Sequence, residues 1–141
     1  MEFIVEARSP KVRKFFEAII PSMLKQLNLT NSRKFLIVKT DKIDSQGVTI
    51  PMDDIDTYLV VVNSTKRITD MGITLAHEMV HVRQMAKGIL KTTPNGTVWN
   101  GKKYSKKTKY LDQPWEQDAF AKQELVFRRA INDWHSSQSL L

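Results

Sequence analysis

Thr74-Leu75-Ala76-His77-Glu78-Met79-Val80-His81-Val82-Arg83-Gln84 holds H-E-x-x-H inside a run with helical periodicity. Leu75, Met79, Val82 and Ala86 recur at i, i+4, i+7 and i+11, which turns one apolar stripe toward a core. The spacing predicts a helix from about residue 70 to about residue 87, started by a cap at Thr69 or Asp70 and ended by Gly88 in the left-handed conformation. Asp70, Thr74 and Gln84 form a polar stripe beside the apolar one, as expected of a helix that half faces a cleft and half faces a core.

On such a helix His77 and His81 stand one turn apart and point the same way, so both imidazoles can reach one metal ion at roughly 2.0 to 2.1 Å. Glu78 lies about 100° around the helix from His77, too far to join that clip but placed to hold a water at an open coordination position. It is the candidate general base. Two histidines and a glutamate could share a surface helix by accident. The chain has only three histidines, however, and this pair has the right spacing, the right residue between and apolar flanks. Catalytic zinc usually takes three protein ligands, so a third must come from elsewhere.

A length of 141 residues, 41% of them hydrophobic, suits one globular domain spanning 1–141 with a real core. There are no cysteines, which excludes a disulfide framework and a thiolate metal site and leaves His and carboxylate as ligands. The start, Met1-Glu2-Phe3-Ile4-Val5-Glu6, is too short in apolar residues for a signal-peptide core, and no run approaches transmembrane length. A cytoplasmic protein is the simplest expectation. The formal charge of +7, from 22 basic and 15 acidic side chains, favours an acidic partner.

Ser9-Pro10 reads as a cap followed by proline in the first turn, and Val12, Phe15, Phe16, Ile19, Ile20, Met23, Leu24 and Leu27 follow helical spacing. Pro21 removes an amide from that helix, so a kink or break is expected near residues 19 to 21. Asn28 to Ser32 is the turn out. Phe35 to Lys39 is a short strand, Val48 to Ile50 a weaker one closed by Pro51, and Thr57 to Val62 a continuous buried strand leading into the metal helix. Helix, strands and then a packed helix make an α+β arrangement. Asn95-Gly96 signals a tight hairpin, and five lysines follow between residues 102 and 109, around Tyr104. Pro114 opens a last helix whose inward face is Ala119, Phe120, Gln123, Phe127, Ala130, Ile131 and Trp134, and the tail from Ser136 is expected to fray.

With His77-Glu78-Met79-Val80-His81, a Trp-x-Gly turn at Trp99 to Gly101, and Pro114-Trp115-Glu116-Gln117-Asp118-Ala119-Phe120, the chain resembles the small zincins. More narrowly, it is similar to short metallopeptidases of bacteriophage genomes that pair the metal helix with a downstream P-W-E-x-[ED]-A segment. The resemblance covers about residues 70 to 125. It implies a minimal zincin-like domain: a small twisted sheet against the metal helix, an edge strand above the metal, and a C-terminal helix supplying the last ligand. Among zincins with a glutamate third ligand that residue often opens an E-x-x-A element, which Glu116 and Ala119 match.

Three residues compete for the third position. Asp118 lies about 200° around a helix from Glu116, so both cannot face one ion. The inward stripe contains Glu116, and His135 would have to fold back over the cleft. Glu116 is the preferred ligand, with Asp118 as a direct alternative or as the group that orients a ligating histidine. The function expected is a Zn2+-dependent peptidase with His77, His81 and Glu116 on the metal and Glu78 as base, with Tyr104 or Tyr110 as possible oxyanion donors. The alternatives are a nucleic-acid-associated protein contacting phosphates through Lys102, Lys103, Lys106, Lys107 and Lys109, a protease directed to DNA-bound proteins, or an inactive zincin fold used for protein binding. A solvated loop explains the lysines equally simply.

Overall fold

The structure, a computed structural model, describes residues 1–139. In chain order it has β1 (Glu2–Glu6), α1 (Pro10–Gln26), β2 (Phe35–Asp41), β3 (Gly47–Met52), β4 (Thr57–Asn63), α2 (Ile68–Ala86), β5 (Leu90–Thr93), β6 (Gly96–Trp99), β7 (Lys102–Tyr104) and α3 (Pro114–Ser139). This is an α+β architecture with one four-stranded and one three-stranded sheet. None of the described helices is long and apolar enough to cross a membrane.

The larger sheet has the order β1-β2-β4-β3. β1, β2 and β4 run parallel, and β3 is antiparallel to β4 at the edge. β4 pairs on both sides and is buried along most of its length, which is why its sequence is a continuous run rather than an alternation. Pro51, expected to close a strand, lies inside β3 opposite Tyr58. An edge strand tolerates it, because an outward-facing position needs no ladder donor. β1 escapes the sequence pattern: its three central apolar residues gain their partners only from β2, more than thirty residues away.

The core joins Phe16, Ile19, Ile20, Met23 and Leu24 of α1, Leu36, Val38, Val60 and Val62 of the sheet, Leu75, Met79 and Val82 of α2, and Ala119, Val126 and Ala130 of α3. Ser9 caps α1 by accepting from the amide of Val12 at 3.2 Å, as its position before Pro10 predicts. The expected break near Pro21 is absent, and α1 runs unbroken to Gln26. Pro21 and Glu17 are both exposed, so the carbonyl that loses its partner faces water.

α2 begins at Ile68, and its cap is Arg67 without a side-chain bond, so Thr69 and Asp70 sit within the first turn rather than capping it. There Asp70 complements the positive end of the helix dipole. The far end is as expected, with Gly88 at φ +73°. The hairpin at Asn95-Gly96 forms between β5 and β6, and β7 adds a third strand through a turn at Asn100 and Gly101, both with positive φ. The lysine segment is thus partly strand. α3 continues through the tail expected to fray from Ser136, as far as Ser139, and the remainder of that tail lies outside the described residues.

Candidate metal centre

α2 passes between the sheet and α3, and it is buried on nearly every face between Met71 and Gln84. His77, Glu78 and His81 are 7%, 6% and 6% exposed, so an ionic or polar group there must find partners within the protein. The two imidazole rings are 4.9 Å apart. α3 crosses α2 so that Glu116, in its first turn, enters between them. Glu116 Oε1 lies 2.8 Å from His77 Nε2 and 3.0 Å from His81 Nε2.

The other nitrogen of each ring meets an amide. His77 Nδ1 is 2.8 Å from Gln123 Oε1, and His81 Nδ1 is 2.8 Å from Gln84 Oε1. Gln84 is fully buried, and its Nε2 donates to Trp115 O and to Asp118 Oδ2, each at 2.9 Å. Two acceptors on one side of the amide dictate its orientation, so the oxygen must face His81. His81 therefore stands between two acceptors, Gln84 Oε1 and Glu116 Oε1. A neutral imidazole has one N–H and cannot serve both. The gap between His81 Nε2 and Glu116 calls for a cation, which is either an added proton or a metal ion.

The proton affinities reflect the same arrangement. Burial pushes His81 down, but the hydrogen bonds to Glu116 and Gln84 outweigh it and raise its pKa. Burial pushes Glu116 up, yet hydrogen bonds from His77 and His81 hold its carboxyl down at about 2. His77, Glu78 and His81 present ligand atoms all within 4.8 Å of one another, and this buried group could hold a metal ion. Glu116 Oε1 is nearer to both Nε2 atoms than that limit, so its carboxylate stands beside the same two imidazoles as a further oxygen donor. Such a set fits a divalent metal.

Glu78 lies beside the two imidazoles and also reaches β3. Thr49 Oγ1 donates to Glu78 Oε1 at 2.9 Å and lies 3.2 Å from the Glu78 carbonyl oxygen. Burial raises the Glu78 pKa, partly offset by His81, Thr49 and His77. The close approach of β3 depends on Gly47. A Cβ at that position would come within 2.6 Å of Thr74 Cγ2 and 3.1 Å of Glu78 Cγ.

Tyr110 lies at the mouth of the site and donates to Glu116 Oε1 at 3.3 Å. Burial, with the Glu116 charge beside it, pushes its pKa to about 12, so it is a hydrogen-bond donor at neutral pH. Tyr104 instead packs edge-on against Trp115, 5.6 Å between centroids. Asp118 meets no imidazole: its Oδ2 accepts from Gln84 and its Oδ1 pairs with Lys122 at 2.7 Å. His135 lies about five turns further along α3, beside Trp134, and is exposed. Phe120, expected in the core, is 51% exposed on the cleft side, one turn after Glu116, its ring 4.6 Å from that of His77. Val126, which the sequence reading left out, takes an inward place. Lys102 and Lys103 lie on β7, and among the described residues none of the five lysines from 102 to 109 forms an ion pair.

Around these groups is an open cleft of about 950 Å³, walled by β3, α2, α3 and the β5-β6 hairpin. Comparison with protein-family models, curated proteins and solved structures finds no match to the chain.

Proposed function

We propose that this chain is a zinc-dependent peptidase of minimal zincin type, with His77, His81 and Glu116 holding the ion and Glu78 acting as general base. The observation that carries the reading is the position of Glu116 Oε1, 2.8 and 3.0 Å from two inward imidazole nitrogens of which one, at His81, has a fixed acceptor behind it. Two histidines and a carboxylate, with no thiolate, suit zinc in a site that keeps an open position. A bound zinc ion supplies Lewis acidity toward the substrate carbonyl and lowers the pKa of water.

The chain's own residues do the rest. Glu78 takes a proton from the attacking water and returns it to the leaving amine, and burial, which raises its pKa, makes its carboxylate a stronger base for the first transfer. Tyr110, protonated at neutral pH, donates to the carbonyl oxygen as negative charge develops there. The substrate is an extended polypeptide. Among the described residues β3 pairs with β4 alone, so its other edge offers unpaired backbone groups along the cleft, where a peptide can add as a further strand. Retention of Glu78 and its bond to Thr49 favours an active site over an inactive binding fold.

Zinc content and hydrolysis of a fluorogenic peptide library test this reading. About one zinc per chain is expected, and Glu78→Gln should keep the metal while abolishing cleavage. Glu116→Gln should weaken zinc binding more than Asp118→Asn, and His135→Ala should leave it unchanged. Parental zinc affinity in Glu116→Gln would refute the ligand assignment, and undiminished cleavage by Glu78→Gln would refute the mechanism.

A further inference from the structure

Among the groups that touch the two histidines, Gln84 joins α2 to α3 through three partners, His81, Trp115 and Asp118. It is fully buried on α2, one turn beyond His81, and all its polar atoms are engaged across the α2–α3 contact. Gln123, by contrast, meets His77 from the cleft wall through its Oε1 and has no second hydrogen-bond partner among the described residues to fix its amide.

We infer that Asp118, Gln84 and His81 form a relay in which α3 sets the orientation of a metal ligand on α2, making Gln84 a positioning residue for the metal centre. The inference rests on the metal reading above. Lys122 holds Asp118 Oδ1 at 2.7 Å and leaves Oδ2 to accept from Gln84 Nε2. The Trp115 carbonyl accepts the second amide hydrogen. Gln84 Oε1 can then only accept, so His81 carries its proton on Nδ1 and presents the Nε2 lone pair to the metal. A flipped amide would point its N–H₂ at His81 Nδ1 and its oxygen at a carboxylate and a carbonyl. Two acceptor–acceptor contacts at a fully buried amide oppose that flip. Outer-shell partners of this kind typically change metal affinity by about 10- to 100-fold. A neutral amide in place of the usual carboxylate also keeps the added negative charge one residue away, on Asp118.

The polarity of the relay can be reversed without changing its formal charge. Gln84→Glu alone faces a carboxylate toward Asp118 and should bind zinc on the order of 100-fold more weakly than the parent. Adding Asp118→Asn restores the contact between positions 84 and 118: the new amide accepts from Lys122 and donates to the new carboxylate, which still accepts from His81 Nδ1. The Trp115 carbonyl loses its donor and faces the carboxylate in both variants, so zinc affinity in the double variant should recover only in part, to about 10-fold tighter than Gln84→Glu. Gln84→Leu should lose about 10-fold or more. ¹⁵N-resolved NMR of the histidines in the zinc-loaded parent and double variant should show the His81 proton on Nδ1 in both. Gln84→Leu should lose the slow exchange of that proton.

Competition titration with a chromogenic chelator reads the affinities, and thermal unfolding of each metal-free protein checks folding. If the parent binds no zinc, the metal reading fails. If it binds zinc with His81 protonated on Nε2, the relay is wrong while the metal site stands. Parental affinity in Gln84→Leu, or a double variant no tighter than Gln84→Glu, also overturns the relay. Should Gln84→Leu fail to fold, the charge-neutral swap still decides.

Discussion

Thr49 on the edge strand and Glu78 on α2 are joined by a 2.9 Å hydrogen bond that crosses from sheet to helix. The carboxylate proposed as general base is therefore aimed by a strand rather than by its own helix. A hydrogen bond to a charged group is worth about 1.5 to 3 kcal/mol, so Thr49→Val should lower kcat by roughly 10- to 100-fold with little change in zinc content. Thr49→Ser keeps the hydroxyl and should retain most activity. Steady-state kinetics beside zinc analysis checks this, and a Thr49→Val enzyme with parental kcat would release Glu78 from the strand's control.

The charges at the centre set a pH signature for the metal-free protein. The His81 pKa is raised above its ordinary 6.5, so its stabilising contribution is complete below that value and lost as pH rises through the folded-state pKa. Glu78, raised above 4.5, is likewise lost from the ledger as pH rises. Glu116, held at about 2 against an ordinary 4.5, stabilises above 4.5 and loses its contribution as pH falls toward 2. Chemical denaturation of Glu78→Gln, which removes the falling Glu78 contribution, should show the rest of the site contributing most between about pH 4.5 and 6.5. Zinc affinity should run the other way and rise with pH across 6 to 8, because the proton between His81 and Glu116 must leave before a metal enters. Zinc affinity independent of pH in that range would contradict the assignment of His81 as a ligand.

The metal helix was legible because its signal is local. Two histidines, a glutamate and an apolar stripe within eleven residues define the helix and place on it the buried group that could hold a metal ion. Glu116 was legible only through spacing on α3 and a family resemblance, since no periodicity says which helix crosses which. The same limit hid the roles of Gln84 and Gln123: an amide on a polar stripe looks solvated until α3 covers it. Gln84 gave one signal, lying three residues after His81 on the same face, where an acceptor can reach Nδ1. Phe120 was misplaced because α3 has two apolar aspects, Ala119, Val126 and Ala130 toward the core and Phe120 toward the cleft, which a single stripe merges. Strand order followed from nothing local, as parallel pairing joins β1 to β2 across the whole of α1 and β2 to β4 across β3.

The lysines from 102 to 109 bear on the second functional class. Each is free of ion pairs among the described residues, and Lys102 Nζ sits 5.2 Å above the Tyr104 ring, a contact that does not need a nucleic acid. The expected outcome is a solvated face: weak DNA retention at low salt, gone by about 150 mM, and unchanged peptide hydrolysis when all five are replaced by glutamine. Fluorescence anisotropy with a duplex across salt concentrations measures it. A log–log slope steeper than about −4 that collapses in the glutamine variant would assign the face to nucleic acid.

Gly72 offers a test of the α2–α3 contact on which the whole site depends. In the interior of α2, glycine to alanine would ordinarily stabilise a helix by about 1 kcal/mol. Here a Cβ would fall within the contact envelope of the Phe127 ring on α3 and 3.1 Å from Phe15 Cε2 on α1. These rings pack against each other edge-on, with centroids 6.4 Å apart, so each hems in the other on one side. Overpacking of this kind costs about 1 to 3 kcal/mol, enough to cancel or exceed the propensity gain. Gly72→Ala should therefore lower stability by about 1 kcal/mol and Tm by a few degrees. It should weaken zinc binding too, because displacing α3 moves Glu116 and Gln123 away from His77 together. Trimming the obstacle with Phe127→Leu in the same chain should recover part of the loss. A Gly72→Ala protein more stable than the parent, with undiminished zinc affinity, would show that α3 does not hold the close approach described.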